Sequence, residues 1–162
     1  MKKAAVLIIL LTLAALAFAQ SPIAKGEKQV NAGIGLSSWG LPVYVGIDYG
    51  IHPDISVGGE ISYRSWEYGS YNHSIIGLLV NGNYHLNKLM ELPPEFDFYA
   101  GLNLGFYIWI SPEEYGGSKS SGLGLGGQVG GRYYFTDKLA ANLELGGGTA
   151  LSGGKLGLSY KL

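Results

Sequence analysis

Apolar side chains at every second position are the feature that most constrains the fold of this chain. From about residue 28 the alternation recurs in eight segments, and turn-forming residues separate one segment from the next. In the clearest segment, Phe96 to Ile110, Phe, Ala, Leu and Ile alternate with Asp, Tyr, Gly, Asn and Trp. Successive side chains of a β-strand point to opposite faces, so this period predicts eight strands, an all-β fold and no convincing helix.

The first twenty residues differ in composition from the rest. A positive start, Met1 to Lys3, precedes an apolar run from Ala4 to Leu16 and a small-x-small sequence, Ala17 to Ala19. These are the three regions of a secretory signal peptide. The apolar run is shorter than the roughly 20 residues of a membrane-spanning helix, and no stop-transfer flank follows it.

The predicted organisation therefore has three parts. They are a signal peptide over residues 1–19 that is cleaved near Ala19–Gln20, an N-terminal periplasmic segment over residues 20–27, and a β-domain over residues 28–162.

Composition excludes several classes of function. Cleavage lowers Lys+Arg from 11 to 9 against 12 Asp+Glu, a net charge near −3 that does not suit a nucleic-acid-binding protein. The chain has no cysteine, so disulfides and zinc–thiolate sites are absent. No phosphate loop, metal-ligand cluster or dinucleotide fingerprint is present, and no cofactor is predicted.

The composition of the face opposite the apolar one decides whether the apolar face packs in a protein core or faces lipid. It consists mostly of Gly, Ser and Asn, and charged residues make up only 14% of the chain against about 25% in soluble domains. Small residues suit the crowded interior of a narrow barrel. Aromatic residues on the apolar face lie near strand ends, as in interfacial girdles: Tyr49, Tyr63, Tyr84, Phe96, Phe98, Tyr133, Phe135 and Tyr160. We therefore predict an eight-stranded antiparallel up-and-down transmembrane β-barrel.

The connections between the segments differ in length. His52 to Asp54 and Thr136 to Lys138 predict tight turns, whereas Ser65 to Asn72 and Ser111 to Ser120 predict longer loops. Short turns on one side and longer loops on the other are typical of outer-membrane barrels. The connection from Asn87 to Glu95 is an exception on the short-turn side.

The C-terminal segment from Lys155 to Leu162 resembles the terminal assembly signal of outer-membrane barrels. Lys155, Gly157, Tyr160 and Leu162 fall on its four positions, although Phe is commoner than Leu at the last one. Residues 28–162 as a whole resemble the small barrels of the opacity-protein and OmpA/OmpX-like group. The resemblance implies the bacterial outer membrane as location, and the barrel-assembly machinery, membrane lipid and lipopolysaccharide as partners.

Charged residues on the inward face are the first candidate site. They are Asp48, Glu60, Arg64, Arg132, Glu144 and Lys161. They form either a structural network or the lining of a narrow channel, and the small lumen of an eight-stranded barrel favours the network. We predict that Arg132 pairs with Glu144 or Asp48.

Two further groups of residues are candidates for chemistry or recognition. Some eight-stranded barrels modify lipid A with His, Ser and a carboxylate, and the nearest set here is His73, Ser74 and Glu67, which matches no motif of those enzymes. The predicted loops also carry aromatic residues suited to surface contacts: Trp66, Tyr68, Tyr71 and Tyr115. The preferred hypothesis is a non-enzymatic barrel with a structural or surface-interaction role. The alternatives are a narrow porin-like conduit for small solutes and, third, a lipid A-modifying enzyme.

Overall fold

A computed structural model describes residues 23–36, 40–69, 71–114, 116, 121–148 and 153–162. The predicted signal peptide and Tyr115 lie outside these residues. The strands are β1 (Lys28–Leu36), β2 (Val43–His52), β3 (Ile55–Tyr68), β4 (Tyr71–His85), β5 (Phe96–Ile110), β6 (Gly122–Tyr134), β7 (Leu139–Gly148) and β8 (Gly153–Lys161). A one-turn helix, α1 (Asn87–Met90), lies between β4 and β5.

Each strand pairs with its neighbours in the chain, and β1 pairs with β8 to close the barrel. All pairings are antiparallel, and the closing one brings Val30 opposite Tyr160 and Ile34 opposite Leu156. The predicted eight-stranded up-and-down barrel is therefore confirmed. Closure leaves no strand edge, which a sheet in hydrocarbon requires because no water is present to pair with free backbone groups.

The distribution of polarity is the inverse of that in a soluble protein. Large apolar side chains face outward, and Leu102, Leu123 and Leu125 are 76%, 74% and 69% exposed. The buried side chains are mainly polar or charged, among them Gln29, Asn83, Asp97 and Ser159. An apolar exterior around a polar interior is the arrangement of a barrel that is solvated by lipid.

The two ends of the barrel differ. We call the end with both chain termini the terminal end and the opposite one the loop end. Most of the outward aromatic residues form a ring at the terminal end: Tyr49, Tyr84, Phe96, Phe98, Tyr133, Phe135 and Tyr160. Only Tyr63 of the predicted girdle lies toward the loop end.

The predicted loop from Ser65 to Asn72 is wrong. β3 continues to Tyr68, β4 begins at Tyr71, and only Gly69 and Ser70 connect them. Trp66 pairs with His73 and Tyr68 with Tyr71 across the two strands. Aromatic cross-strand pairs stabilise a sheet and here outweigh the turn preference of the neighbouring Ser, Gly and Asn residues.

The long connection at the terminal end contains α1, a helical turn that the sequence did not predict. Its first residue, Asn87, is buried, and its side-chain amide donates to the Phe96 carbonyl, so the turn is held against the start of β5. No helix among the described residues is long and apolar enough to cross a membrane.

The described part of the N-terminal segment folds against the terminal end. Ile23 is 1% exposed. The Gly26 amide donates to the Gly50 carbonyl at 2.8 Å, and the Gly50 amide donates to the Glu27 carbonyl at 3.0 Å. A Cβ at Gly50 would lie 2.1 Å from the Ala24 carbonyl oxygen, so the segment approaches β2 too closely for any side chain there.

A substitution at Gly33 tests the β1–β8 pairing that closes the barrel. A Cβ on Gly33 would lie 2.2 Å from the Leu156 carbonyl oxygen and 2.6 Å from the Gly157 Cα. We expect Gly33→Val to push β1 and β8 apart and to cost about 1–3 kcal/mol or more of stability. The measurement is the fraction of unheated protein that migrates as the folded species in electrophoresis. Gly82→Val is the control, because nothing lies within 4 Å of a Cβ there. Equal folded fractions for the two variants would contradict the expectation.

Candidate functional site

The lumen contains the inward charges that the sequence singles out. Asp48, Arg132 and Glu144 are buried in it, and the Glu60 carboxylate is 12% exposed. Arg64 is half-buried on β3 toward the loop end. Lys161 is half-buried at the terminal end, with its ammonium 4.4 Å from the centre of the Tyr134 ring.

The Arg132 cluster consists of Arg132, Asp48, Asp97, His85 and Ser56. The Arg132 guanidinium contacts an Asp48 oxygen at 2.7 Å and an Asp97 oxygen at 2.9 Å. The other Asp97 oxygen lies 2.7 Å from His85 Nδ1, and His85 Nε2 lies 2.9 Å from Ser56 Oγ. A planar guanidinium between two carboxylates makes short, charge-assisted hydrogen bonds, which offset part of the cost of burying the charges.

Asp97 is the carboxylate of this cluster that the sequence prediction missed. It is the second residue of β5, next to a predicted turn, and is fully buried opposite Arg132 in the β5–β6 register. The alternation already placed it on the inward face, so the signal was present. The Arg132 guanidinium also lies 4.4 Å from the centre of the Tyr99 ring, a cation–π distance.

The Lys155 cluster lies nearer the loop end and joins Lys155, Glu60, Glu144, Tyr99 and Tyr44. Lys155 Nζ contacts Glu60 at 2.7 Å and Glu144 at 3.0 Å. The Tyr99 hydroxyl donates to the second Glu144 oxygen at 2.8 Å. The Lys155 ammonium is 5.2 Å from the centre of the Tyr44 ring. Glu144 thus pairs with Lys155, so of the two predicted partners of Arg132 only Asp48 contacts it.

Amide and hydroxyl side chains fill the lumen around the charged clusters. Gln128 donates to Asn83 at 2.7 Å and accepts from Asn103 at 2.8 Å. Asn31 donates to Asp48 at 2.9 Å and accepts from Ser159 at 2.7 Å. Around both charged clusters the enclosed space is about 20 Å³, enough for about one water molecule. The lumen at this level is filled by side chains.

Aromatic rings pack together on the inward face of β3, β4 and β5 at the loop end. Trp66 stacks on His73 with ring centres 5.4 Å apart and meets the edge of Trp109 at 5.2 Å. His73 Nδ1 lies 2.7 Å from Ser111 Oγ, and Trp109 Nε1 donates to the same oxygen at 2.8 Å. Trp66, predicted as a surface contact, therefore faces inward, whereas Tyr68 is 68% exposed and Tyr71 is half-buried.

The residues predicted for a lipid-modifying site are not brought together. His73 lies in β4, not in a loop, and it is 2% exposed. Its neighbour Ser74 faces the other side of the sheet, where its hydroxyl lies 3.1 Å from the Tyr63 hydroxyl. Glu67 is exposed on β3. A nucleophile needs its base within hydrogen-bond distance, and His73 and Ser74 point to opposite faces.

A different set has the connectivity of a Ser-His-Asp triad. Ser56, His85 and Asp97 form a hydrogen-bonded chain in that order, with distances of 2.9 Å and 2.7 Å. Ser56 and Asp97 are 0% exposed and His85 is 1% exposed. A nucleophile with no exposed surface does not meet a substrate, so in this structure the chain of bonds holds β3, β4 and β5 together. Among the described residues, no group of three or more His, Asp or Glu side chains is arranged to bind a metal ion.

The four residues of the predicted C-terminal signal lie on both faces of the sheet, three in β8 and Leu162 directly after it. Lys155 and Gly157 face the lumen, whereas Tyr160 and Leu162 are 47% and 65% exposed on the outside. A Cβ at Gly157 would lie 2.3 Å from the Ala32 carbonyl oxygen and 2.5 Å from the Tyr44 hydroxyl. Two of the signal positions thus also serve the closed barrel, one by its charge and one by its lack of a side chain.

Comparison with known proteins finds the same architecture among solved structures. No family model matches the sequence, and no curated protein matches it. Among solved structures, the outer membrane protein OprG of Pseudomonas aeruginosa superposes with a TM-score of 0.65 at 12% identity, over 88% of this chain and 99% of that one. The chain has the fold of the small outer-membrane β-barrels.

Two further solved barrels show the same likeness. The N-terminal barrel domain of OprF from Pseudomonas aeruginosa gives a TM-score of 0.61 at 18% identity, over 85% of this chain and 98% of that one. Ail of Yersinia pestis, solved with the heparin analogue sucrose octasulfate, gives 0.54 at 14% identity, over 85% and 99%. At these identities the likeness concerns the fold alone.

Arg132 tests the lumen network. We expect Arg132→Met to destabilise the barrel by about 3–5 kcal/mol, because Asp48 and Asp97 stay buried without their shared cation. The measurement is urea unfolding in lipid vesicles, followed by tryptophan fluorescence. Lys161→Met is the control and should cost about 1 kcal/mol or less, since it removes one half-buried cation–π contact.

Neutralising the two carboxylates as well, with Asp48→Asn and Asp97→Asn, should recover part of the loss in Arg132→Met. If Arg132→Met and Lys161→Met were equally stable, the buried guanidinium would not hold the lumen together.

Proposed function

We propose that this chain is a non-conducting, non-enzymatic integral protein of the bacterial outer membrane, with a structural or surface-interaction role. The observation that carries the proposal is the filled lumen, in which Arg132 and Lys155 each bridge two carboxylates. A conduit needs a continuous water-filled path, and the two clusters leave about 20 Å³. The porin-like alternative is therefore the weaker one.

Three features support the outer membrane as the location. The exterior is apolar, and its aromatic residues gather at one end. The sequence begins with the pattern of a secretory signal peptide, which leads a bacterial protein into the periplasm. The solved structures with the same fold include OprG and Ail, both of which are named as outer membrane proteins. In this placement the terminal end faces the periplasm, the loop end faces outward, and membrane lipid, lipopolysaccharide and the assembly machinery are the expected partners.

The β3–β4 hairpin is the best candidate for surface contacts. β3 and β4 have 14 and 15 residues, whereas β1 and β2 have 9 and 10. Register shows that β3 residues after Tyr63 have no β2 partner. The hairpin thus extends about five residues, or about 16 Å along the strand, beyond the neighbouring strand. Tyr68 at its tip is exposed, and Tyr is a common anchor residue in binding surfaces.

The charges at the loop end indicate which charge a bound partner would carry. Glu67, Glu113 and Glu114 are exposed there. Arg64 lies deeper, in the mouth of the lumen. Acidic groups repel a sulfated sugar such as the one in the Ail complex. A neutral or cationic surface fits this end better.

Single-channel recording tests the closed lumen. We expect the folded protein in planar lipid bilayers to produce no conductance steps above background, because ion pairs and side chains occupy the path. A known porin in the same bilayer is the positive control. Regular steps that the folded protein produces and the boiled protein does not would overturn the non-conducting part of the proposal.

Tyr68 tests the surface role. We expect Tyr68→Ala to reduce adhesion of expressing cells to surfaces coated with neutral glycans by about tenfold, as for a central aromatic anchor. Tyr84→Ala is the control, since Tyr84 is also exposed, at 47% against 68% for Tyr68, but lies on the outward face at the terminal end. If Tyr68→Ala, and also removal of residues 67–72, left adhesion unchanged, the hairpin would have no binding role and a structural role would remain.

A further inference from the structure

The lipid-facing surface of the barrel has a groove at Gly59. Two adjoining hollows of about 710 and 540 Å³ share Ile47, Gly59 and Val80. The larger continues toward the loop end between Ile61, Leu78 and Phe106. The smaller continues toward the terminal end, past Tyr49 and Val57, to Lys28. Together they form one apolar channel, open to the membrane, with a lysine at its terminal end. We call it the Gly59 groove.

Nothing in the barrel requires glycine at the floor of this groove. A Cβ at Gly59 would have only the Leu79 carbonyl oxygen nearby, at 3.7 Å, an ordinary contact distance. Its φ is not in the left-handed region. Gly33 and Gly157, by contrast, have no room for a side chain. Glycine inside a strand weakens it, so the hollow is a feature that the fold itself does not need.

The dimensions of the groove match one leaflet. Along β2 it runs from Tyr49 to Val45, four residues or about 13 Å of strand, which is about 10 Å along the membrane normal for a strand tilted by about 40°. Half of the hydrocarbon core of a bilayer is about 15 Å thick. The groove therefore begins at the interfacial aromatic ring and stays within one leaflet.

The rim of the groove has the chemistry of a headgroup contact. Lys28 is exposed on the outward face of β1 and is opposite Tyr49 in the β1–β2 register. An ammonium beside an interfacial tyrosine can pair with a lipid phosphate while the apolar channel above it holds the attached chain. If a second copy of the barrel covered the groove, the Lys28 charge would lie against an apolar surface.

We propose that the Gly59 groove is a binding site for one phospholipid of the leaflet at the terminal end. An acyl chain lies across Gly59 between Ile47 and Val80, and the phosphate lies at Lys28. The site deepens the proposed function, because it assumes that the barrel stands in the outer membrane with its terminal end in the periplasmic leaflet. The proposed function includes only general contact with membrane lipid, whereas the Gly59 groove is one binding position with defined residues.

Native mass spectrometry of the refolded mature protein tests the site. The protein in detergent is titrated with palmitoyl-oleoyl phosphatidylglycerol and, separately, with the diacylglycerol that lacks the phosphate. We expect one phosphatidylglycerol to bind well before any further lipid. Gly59→Phe should weaken this binding by about tenfold or more, because the ring occupies the space of the chain.

Matched controls separate the site from general lipid contact. Gly127→Phe places the same ring at another outward glycine with room for a Cβ, 3.8 Å from its nearest neighbour, and should bind like the wild type. Lys28→Gln should weaken phosphatidylglycerol binding by about fivefold and leave diacylglycerol binding unchanged, as expected for one lysine at a membrane surface. Lys138→Gln, an exposed lysine at the same end, should change neither.

Equal binding by wild type and Gly59→Phe would overturn the proposal, and so would an equal loss in Gly127→Phe. A dimer that Gly59→Phe converts to a monomer would assign the groove to a second copy instead. Folding of each variant is checked by the electrophoretic shift on heating. Recovery of the protein in the soluble periplasmic fraction would refute the membrane placement independently of the lipid titration.

Discussion

The central constraint on this molecule is that the inside of an eight-stranded barrel has to be filled and its charges paired. Arg132 satisfies the constraint at one level by joining Asp48 of β2 to Asp97 of β5. Lys155 satisfies it at the next level by joining Glu60 of β3 to Glu144 of β7. A lone carboxylate at any of these positions would carry a large desolvation cost, so the ion pairs form together or the barrel is unstable. Because they cross the lumen, they also hold distant strands at fixed distances.

Glycine makes these crossings geometrically feasible. The Tyr99 ring occupies the space beside Gly130, where an added Cβ would lie 2.2 Å from the nearest ring carbon. In this position the Tyr99 hydroxyl donates to Glu144 at 2.8 Å. Gly157 likewise leaves space for the Tyr44 hydroxyl. Large side chains on some strands thus fill the space above small ones on their neighbours. The inward glycines are therefore a packing requirement of the lumen, and the outward glycines with free space around them, such as Gly59, need a different explanation.

The alternation of the sequence was sufficient to predict the strand number and the two faces of the sheet, because each of these depends on the position of a residue within its own strand. The partner of Arg132 was harder to predict. Asp48, Asp97 and Glu144 all lie on the inward face, and only the stagger between strands decides which carboxylate lies at the same height in the barrel as Arg132. Lys155 was assigned only to a terminal signal, although its position in the alternation already put it on the inward face. The outer part of the β3–β4 hairpin was mistaken for a loop because Gly, Ser and Asn are turn residues locally. Its strands are held by cross-strand pairs such as Trp66 with His73, which the turn preferences of single residues do not describe.

A filled lumen moves function to the outer surfaces of the barrel. The interior holds acids, bases and even a Ser-His-Asp chain, yet burial prevents these groups from meeting a solute. Among the described residues, the accessible surfaces include the hairpin tip at Tyr68 and the apolar outer wall. The proposed roles of these two surfaces need different features of the fold. Surface contact by the hairpin needs strands that extend beyond their neighbours, whereas lipid binding in the Gly59 groove needs a rigid wall that lacks one side chain. A network of buried ion pairs supplies that rigidity, so the stability of the lumen and the proposed recognition at the exterior depend on the same interactions.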